Sequence, residues 1–114
     1  MGEYAVKVVR WDEQARRFAP EKMQKVGLFA SERFFLDLYC LEPGQFQKTH
    51  AHAGSDKVYL VTEGRGRFQI GEESKTLVAG EAVMATPGEV HGIANDSGER
   101  LVVLTLMAPP PTSG

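Results

Sequence analysis

The sequence predicts a single all-β domain of the sandwich or barrel kind. Three observations point there. From Glu42 onward, turn signals built on Gly, Pro, Asn and Asp recur about every ten residues. The segments between them are short and rich in Val, Ile, Leu, Phe and Tyr. Helical periodicity is not sustained beyond about one turn anywhere in the chain. With 114 residues the chain has room for one domain but not two. At 42% apolar and 25% charged residues, it can build a core and disorder is not the default.

The elements follow in order. Tyr4–Val9 alternates weakly and is a candidate first strand. The polar stretch from Trp11 to Gln24, interrupted by Pro20, has room for one helical turn around Glu13–Arg17. Val26–Ala30 is a short apolar piece, and Arg33–Leu41 is a strand stopped by Glu42-Pro43-Gly44. Further strands are expected at Phe46–His52, Lys57–Thr62, Arg65–Ile70, Lys75–Ala79, Ala82–Thr86, Val90–Ala94 and Leu101–Met107. These give an N-terminal arm over about residues 1–30, a barrel over about 31–108 and a tail over 109–114. The tail run Pro109-Pro110-Pro111 cannot join a ladder and is expected to be extended or disordered.

Val58–Val61 and Leu101–Leu104 are apolar on both faces. A sheet face left to water would alternate with polar residues, so a second layer must cover them. The N-terminal segment or a second subunit is the available cover, and a homodimer is expected.

Charge and cysteine content narrow the function. Thirteen Lys and Arg against fifteen Asp and Glu give a net charge of −2, and the basic residues are scattered. That argues against a nucleic-acid partner, which needs a basic stripe. The single cysteine, Cys40, allows no internal disulfide and reads as a buried hydrophobe. No apolar run approaches the ~20 residues of a membrane span, and the N-terminus lacks a signal-peptide pattern. A cytoplasmic protein with a small-molecule ligand or substrate is the expectation.

The chemistry is concentrated in the three histidines. His50 and His52 are two apart, so on a strand both point to one face. His91 opens another strand. If those strands are neighbours, three imidazoles face one point, the donor set of a transition-metal site with open positions.

The segment from Gly44 through His50, Ala51 and His52 to Gly64 resembles the first sequence motif of the cupin family. The segment Gly80 to Asn95 resembles the second, with Gly80, Gly88, His91 and Asn95 in register. The resemblance covers about Leu38 to Leu106 and accounts for all three histidines. It implies a jelly-roll β-barrel holding a divalent metal, iron, manganese, nickel or zinc, on His50, His52 and His91. Small stand-alone cupins of this kind are similar to proteins attached to antibiotic or polyketide pathways. Gly64 and Gly88 fall where hairpins need positive φ, and Asn95 is expected to tie a turn.

Two departures stand out. Thr86 takes the place of the motif's proline, which moves to Pro87 without changing the length. Lys57 falls where the family has its glutamate ligand, next to Asp56. An ammonium about 5 Å from a divalent ion costs roughly 7 kcal/mol at an effective dielectric of 20. A bulge could turn Asp56 inward as a fourth ligand. Lys57 could instead point away or pair with Asp37. It could be neutral and act as acid or base. Or the site could hold no metal. The reading adopted is three histidines with Asp56 or water completing the shell. By strand parity Phe46, Lys48, Lys57, Tyr59, Val61 and Ile93 line the interior, with Gln47 or Lys48 as polar handles. Lys57 and Tyr59 are the candidate catalytic residues. The resemblance implies either a metal-dependent oxygenase or isomerase, or a barrel that binds a small ligand or metal without chemistry.

Overall fold

The computed structural model describes residues 6–111. One helical turn, α1 (Trp11–Gln14), precedes nine strands: β1 (Gln24–Ala30), β2 (Phe35–Leu41), β3 (Phe46–His50), β4 (Asp56–Glu63), β5 (Arg65–Ile70), β6 (Glu73–Val78), β7 (Ala82–Ala85), β8 (His91–Ala94) and β9 (Leu101–Ala108). They form two antiparallel sheets. One runs β1-β2-β9-β4-β7 and the other β3-β8-β5-β6. The sheets close face to face into the jelly-roll barrel that the turn spacing and the family motifs imply.

The sequence dictates which face of each strand looks inward. Along β4 burial alternates, with Lys57, Tyr59 and Val61 in and Asp56, Val58 and Leu60 out. The inward residues of both sheets make one core: Tyr39 and Leu41 on β2, Tyr59 and Val61 on β4, Phe68 on β5, Leu77 on β6, Ile93 on β8, Leu101 and Val103 on β9. The tightest point lies at the β4–β5 hairpin. Gly64 has φ +78, and a Cβ there would stand 2.1 Å from the Arg100 carbonyl oxygen. Only glycine lets the hairpin lie against the start of β9. Asn95, 1% exposed, ties the turn before β9. Its amide donates to the carbonyls of Leu41 and Glu99, and its oxygen accepts from the backbone and hydroxyl of Ser97.

The outer face of the five-stranded sheet is also apolar, and the N-terminal arm covers part of it. Ala15 and Phe18 pack on Leu38, Val102 and Leu104. The strap is pinned by Gln45, whose amide donates to the Ala19 carbonyl, and by the Arg16–Glu63 ion pair. Arg100 lies over the Phe18 ring at 4.3 Å and also pairs with Glu42. Cys40 is buried beneath this layer as a free thiol. Met84 and Leu106, farther along the same face, stay exposed at 50% and 37%.

Three local expectations change. Tyr4 and Ala5 lie outside the described residues, and Val6–Val9 is not a strand. Val6 and Val8 are almost fully exposed, because no strand lies beside them to pair with. The helical turn starts at Trp11, earlier than Glu13, with Asp12 and Glu13 at its N-terminal end. In the tail, Ala108 still pairs with Asp56, and Ser55 donates to the Pro109 carbonyl at 2.6 Å, so the chain through Pro111 packs beside the barrel mouth. A proline cannot donate to a ladder, but its carbonyl accepts as well as any other.

Gly64→Ala is expected to cost about 3 kcal/mol or more, since it combines a left-handed backbone with a clash against main chain. Denaturant titration of the variant measures it. A loss under about 1 kcal/mol would mean that the hairpin can move away from Arg100.

Candidate metal centre

The centre is built on the β3–β8 ladder. His50 and His91 stand directly opposite each other across it. Close approach is possible because His91 is followed by Gly92. A Cβ at Gly92 would lie 2.8 Å from Thr49 Cγ2 and 3.1 Å from the Gln47 carbonyl oxygen. His52 lies just past the end of β3, where the chain turns back over the barrel mouth. The ring centroid of His50 is 4.7 Å from that of His52 and 4.4 Å from that of His91, and His52 and His91 are 5.6 Å apart. One nitrogen from each ring falls within 4.8 Å of the others.

Hydrogen bonds select which nitrogen that is. Lys48 and Glu89 offer carbonyl oxygens to Nδ1 of His50 and His91, at 2.8 and 2.9 Å. A carbonyl only accepts, so each Nδ1 carries the proton and each Nε2 presents its lone pair. His91 Nε2 is fully buried with no partner among the described residues. A buried, orphaned lone pair is costly unless something binds it. Backbone carbonyls that fix the tautomer are the usual outer support of a metal-ligating histidine. All three rings are also held neutral. Burial, more than any other cause, pushes His91 down to about 4 and lowers His50 and His52 below the ordinary histidine value; the positive charge of Lys57 helps at all three, and that of Lys25 at His50 and His52. The donor set therefore fits a divalent transition metal.

The rest of the predicted set divides. Lys57 faces inward and is 2% exposed. Its ammonium lies 5.4 and 5.2 Å from the ring centres of Tyr39 and Tyr59. Burial pushes it down to about 7; Lys25 repels it further, and Asp37 partly opposes the shift. Asp37 is not within ion-pairing distance, so Lys57 has no salt bridge among the described residues. Asp56 is not brought to the histidines. It is exposed on the outer face of β4, and the register with β9 runs unbroken through Asp56 and Lys57. The bulge that would turn it inward does not form; the irregularity on β4 comes later, between Val61 and Glu63.

Parity along β3 also changes. Phe46 is 63% exposed and Lys48 is exposed, while Gln47 is 7% exposed and points in. A register irregularity between Gln47 and His50 exchanges the faces midway through the strand. Gln47 accepts from the Tyr59 hydroxyl at 2.9 Å. Burial, and after it the neighbouring Tyr39, raises the Tyr59 pKa and keeps it a neutral phenol; Tyr39, also buried, is pushed up to about 12. Sequence parity missed Tyr39 and Lys25 as cavity residues. Their signal was the alternation of Asp37, Tyr39 and Leu41 on β2, with Lys25 directly across from Tyr39 on β1. A cavity of about 590 Å³ opens onto His50 and His52 and is lined by Lys25, Asp37, Tyr39, Gln47 and Lys57.

The comparisons agree with this architecture. The cupin domain model matches residues 37–107, which is more than half of the chain. The chain is a cupin. It is similar to the TT1209 protein of Thermus thermophilus, with 43% identity and a TM-score of 0.89 over 93% of this chain and 100% of that one. An uncharacterised double-stranded β-helix protein of Klebsiella pneumoniae superposes with a TM-score of 0.85 at 22% identity, over 96% of this chain and 95% of its own. A predicted oxalate decarboxylase of Thermotoga maritima does so with 0.75 at 20% identity, over 90% and 99%. At those identities the last two show the fold alone. No functionally curated protein matches this cupin. No helix among its described residues is long and apolar enough to cross a membrane.

Lys57 sets a stability prediction. Its folded value, about 7, lies below the ordinary 10.5, so the folded state pays to charge it. The sign follows from proton binding: between those values the unfolded chain holds the proton and the folded chain does not, so stability rises with pH. The penalty is fully present below pH 7. Lys57→Met is expected to exceed the native protein in stability most at pH 6. Its lead should shrink by up to about 1.4 kcal/mol per pH unit between about pH 7 and 10. Denaturant titrations across that range check this; a lead independent of pH would show that Lys57 titrates normally.

Proposed function

We propose that this cupin is a metal-dependent enzyme of the oxygenase or isomerase type, acting on a small organic molecule held in the barrel. The observation that supports it is the meeting of a preset three-histidine donor set with an open cavity of small-molecule size. His50, His52 and His91 are the metal ligands. A divalent iron, manganese, nickel or zinc held there would supply Lewis-acid chemistry and, as iron, reactivity towards oxygen.

The chain's own residues supply the rest. Phe35, Met107 and the Tyr39 ring in the cavity wall exclude water from one side of the bound molecule. Lys57, poised to gain or lose a proton near neutral pH, is the acid–base candidate at the cavity. Tyr59 is a positioning residue, since its hydroxyl is committed to Gln47. The second reading, a ligand-binding module without chemistry, is favoured by one feature: the cation Lys57 stands where the family has its glutamate ligand. We place the protein in the cytoplasm as a homodimer, paired through the exposed end of the five-stranded sheet at Met84 and Leu106.

Elemental analysis of purified protein is expected to show about one transition metal per chain. His50→Ala and His91→Ala should each lower metal affinity by at least tenfold. The histidines titrate below their ordinary value while Lys57 gains its charge as pH falls through about 7, so any loss of metal between pH 8 and 6.5 should follow Lys57 and be absent from Lys57→Met. Oxygen uptake with thiol or dicarbonyl compounds separates the oxygenase from the binding module. Protein that takes up no metal at pH 8 would overturn the metal reading. Light scattering at micromolar concentration should give twice the chain mass, falling to one chain mass for Leu106→Glu; a native monomer would overturn the pairing.

A further inference from the structure

The cavity beside the histidines carries a charge pattern that the metal reading does not use. Lys57 inside, and the exposed Lys25 and Lys48 at its rim, line it against a single carboxylate, Asp37. Lys57 is the deepest of them, 2% exposed and without a salt bridge among the described residues. Keeping an unpaired cation out of water is expensive, and a buried charge is ordinarily paired. The same cavity holds a second unmet group. Tyr59 donates to Gln47 Oε1, which turns the amide so that Nε2 is the free end. That nitrogen is fully buried and makes no hydrogen bond of ordinary length and angle among the described residues; only the neutral Tyr39 hydroxyl is close enough to feel it. Tyr59 touches both groups: its hydroxyl holds Gln47 and its ring faces the Lys57 ammonium. The cavity thus presents a cation and an N–H donor, and its one carboxylate, Asp37, forms a salt bridge with neither of its lysines Lys57 and Lys25.

We infer that the substrate is a small organic acid, anchored by its carboxylate between Lys57 and Gln47, with Lys25 adding attraction at the mouth. A carboxylate supplies what both groups lack: a negative charge for the ammonium and an acceptor oxygen for the amide. The anchor fixes the direction of the molecule. With its carboxylate at Lys57, a neighbouring hydroxyl, keto or enol oxygen lies towards the Nε2 atoms of the histidines. The class is therefore an acid carrying a second oxygen close to the carboxylate. This rests on the reading of the cavity as the substrate site, and it makes Lys57 a charged substrate anchor, in place of both the acid–base role and the family's metal-binding glutamate.

Lactate and lactamide make the test, since they have nearly the same shape and differ in charge. The chelator-treated full chain is titrated with each at pH 6.5, following the backbone amides of residues 47, 57 and 59 by nuclear magnetic resonance. Lactate is expected to bind at least tenfold more tightly than lactamide. Lys57→Met should remove that preference, and so should Gln47→Glu, which keeps the acceptor for Tyr59 but replaces the donor with a carboxylate. If one variant fails to fold, the other carries the test. Equal binding of the two probes, no response to lactate up to about 100 mM (about the weakest affinity worth calling a site), or a preference that survives the substitutions overturns the inference. Zinc uptake measured on the same samples keeps the two readings apart. A lactate preference without zinc uptake supports the anchor and sinks the metal centre. Zinc uptake without a lactate preference does the reverse.

Discussion

The close approach of β3 and β8 is the constraint on which the rest of the site depends. Gly92 has no side chain, so the backbone of Gln47 and the methyl of Thr49 can lie against it. That contact sets His50 opposite His91 and brings the chain past His50 around to His52. The irregularity in the same ladder turns Gln47 into the barrel. Two backbone carbonyls, from Lys48 and Glu89, then fix which nitrogen of His50 and of His91 faces the centre. Local backbone geometry thus decides the tautomers before any ion arrives, and a preset donor set loses less entropy on binding.

The barrel interior is divided by polarity. Its lower part, around Phe68, Leu77, Leu101 and Val103, is an ordinary apolar core. Its upper part is a band of polar groups that the protein satisfies only in part. Gln47 Nε2, His91 Nε2 and Thr105 Oγ1 are all buried and without partners among the described residues. A core built for stability alone would pair or remove such groups. Lys57 sharpens the point, because burial there holds its proton loosely. The stability given up in this band is the physical mark of a place arranged for a ligand.

Much of this was legible in the chain. Eight of the nine strands, β2 to β9, fall close to where apolar runs and turn signals put them, because strand ends are written locally in Gly, Pro, Asn and Asp. The histidines were legible for the same reason. A spacing of two at the end of a strand and a histidine after a Pro-Gly turn are local patterns, and the two family motifs place all three together. Asn95 was readable too, since a short amide at a strand end has few roles besides tying the turn. Val6–Val9 was misread because weak alternation without a partner strand is only composition.

What the sequence by itself determined is the set of strands, the barrel and the identity of the three metal-ligating candidates. Those depend on short-range periodicity and on glycines that no other residue can replace. Which side of each strand meets the cavity was decided by the tertiary structure. A single bulge on β3 put Gln47 in and Phe46 and Lys48 out, while the unbroken register of β4 put Lys57 in and Asp56 out. With a side-chain period of two, one extra residue in a ladder reverses every position beyond it. No local pattern announces where a neighbouring strand will force that residue.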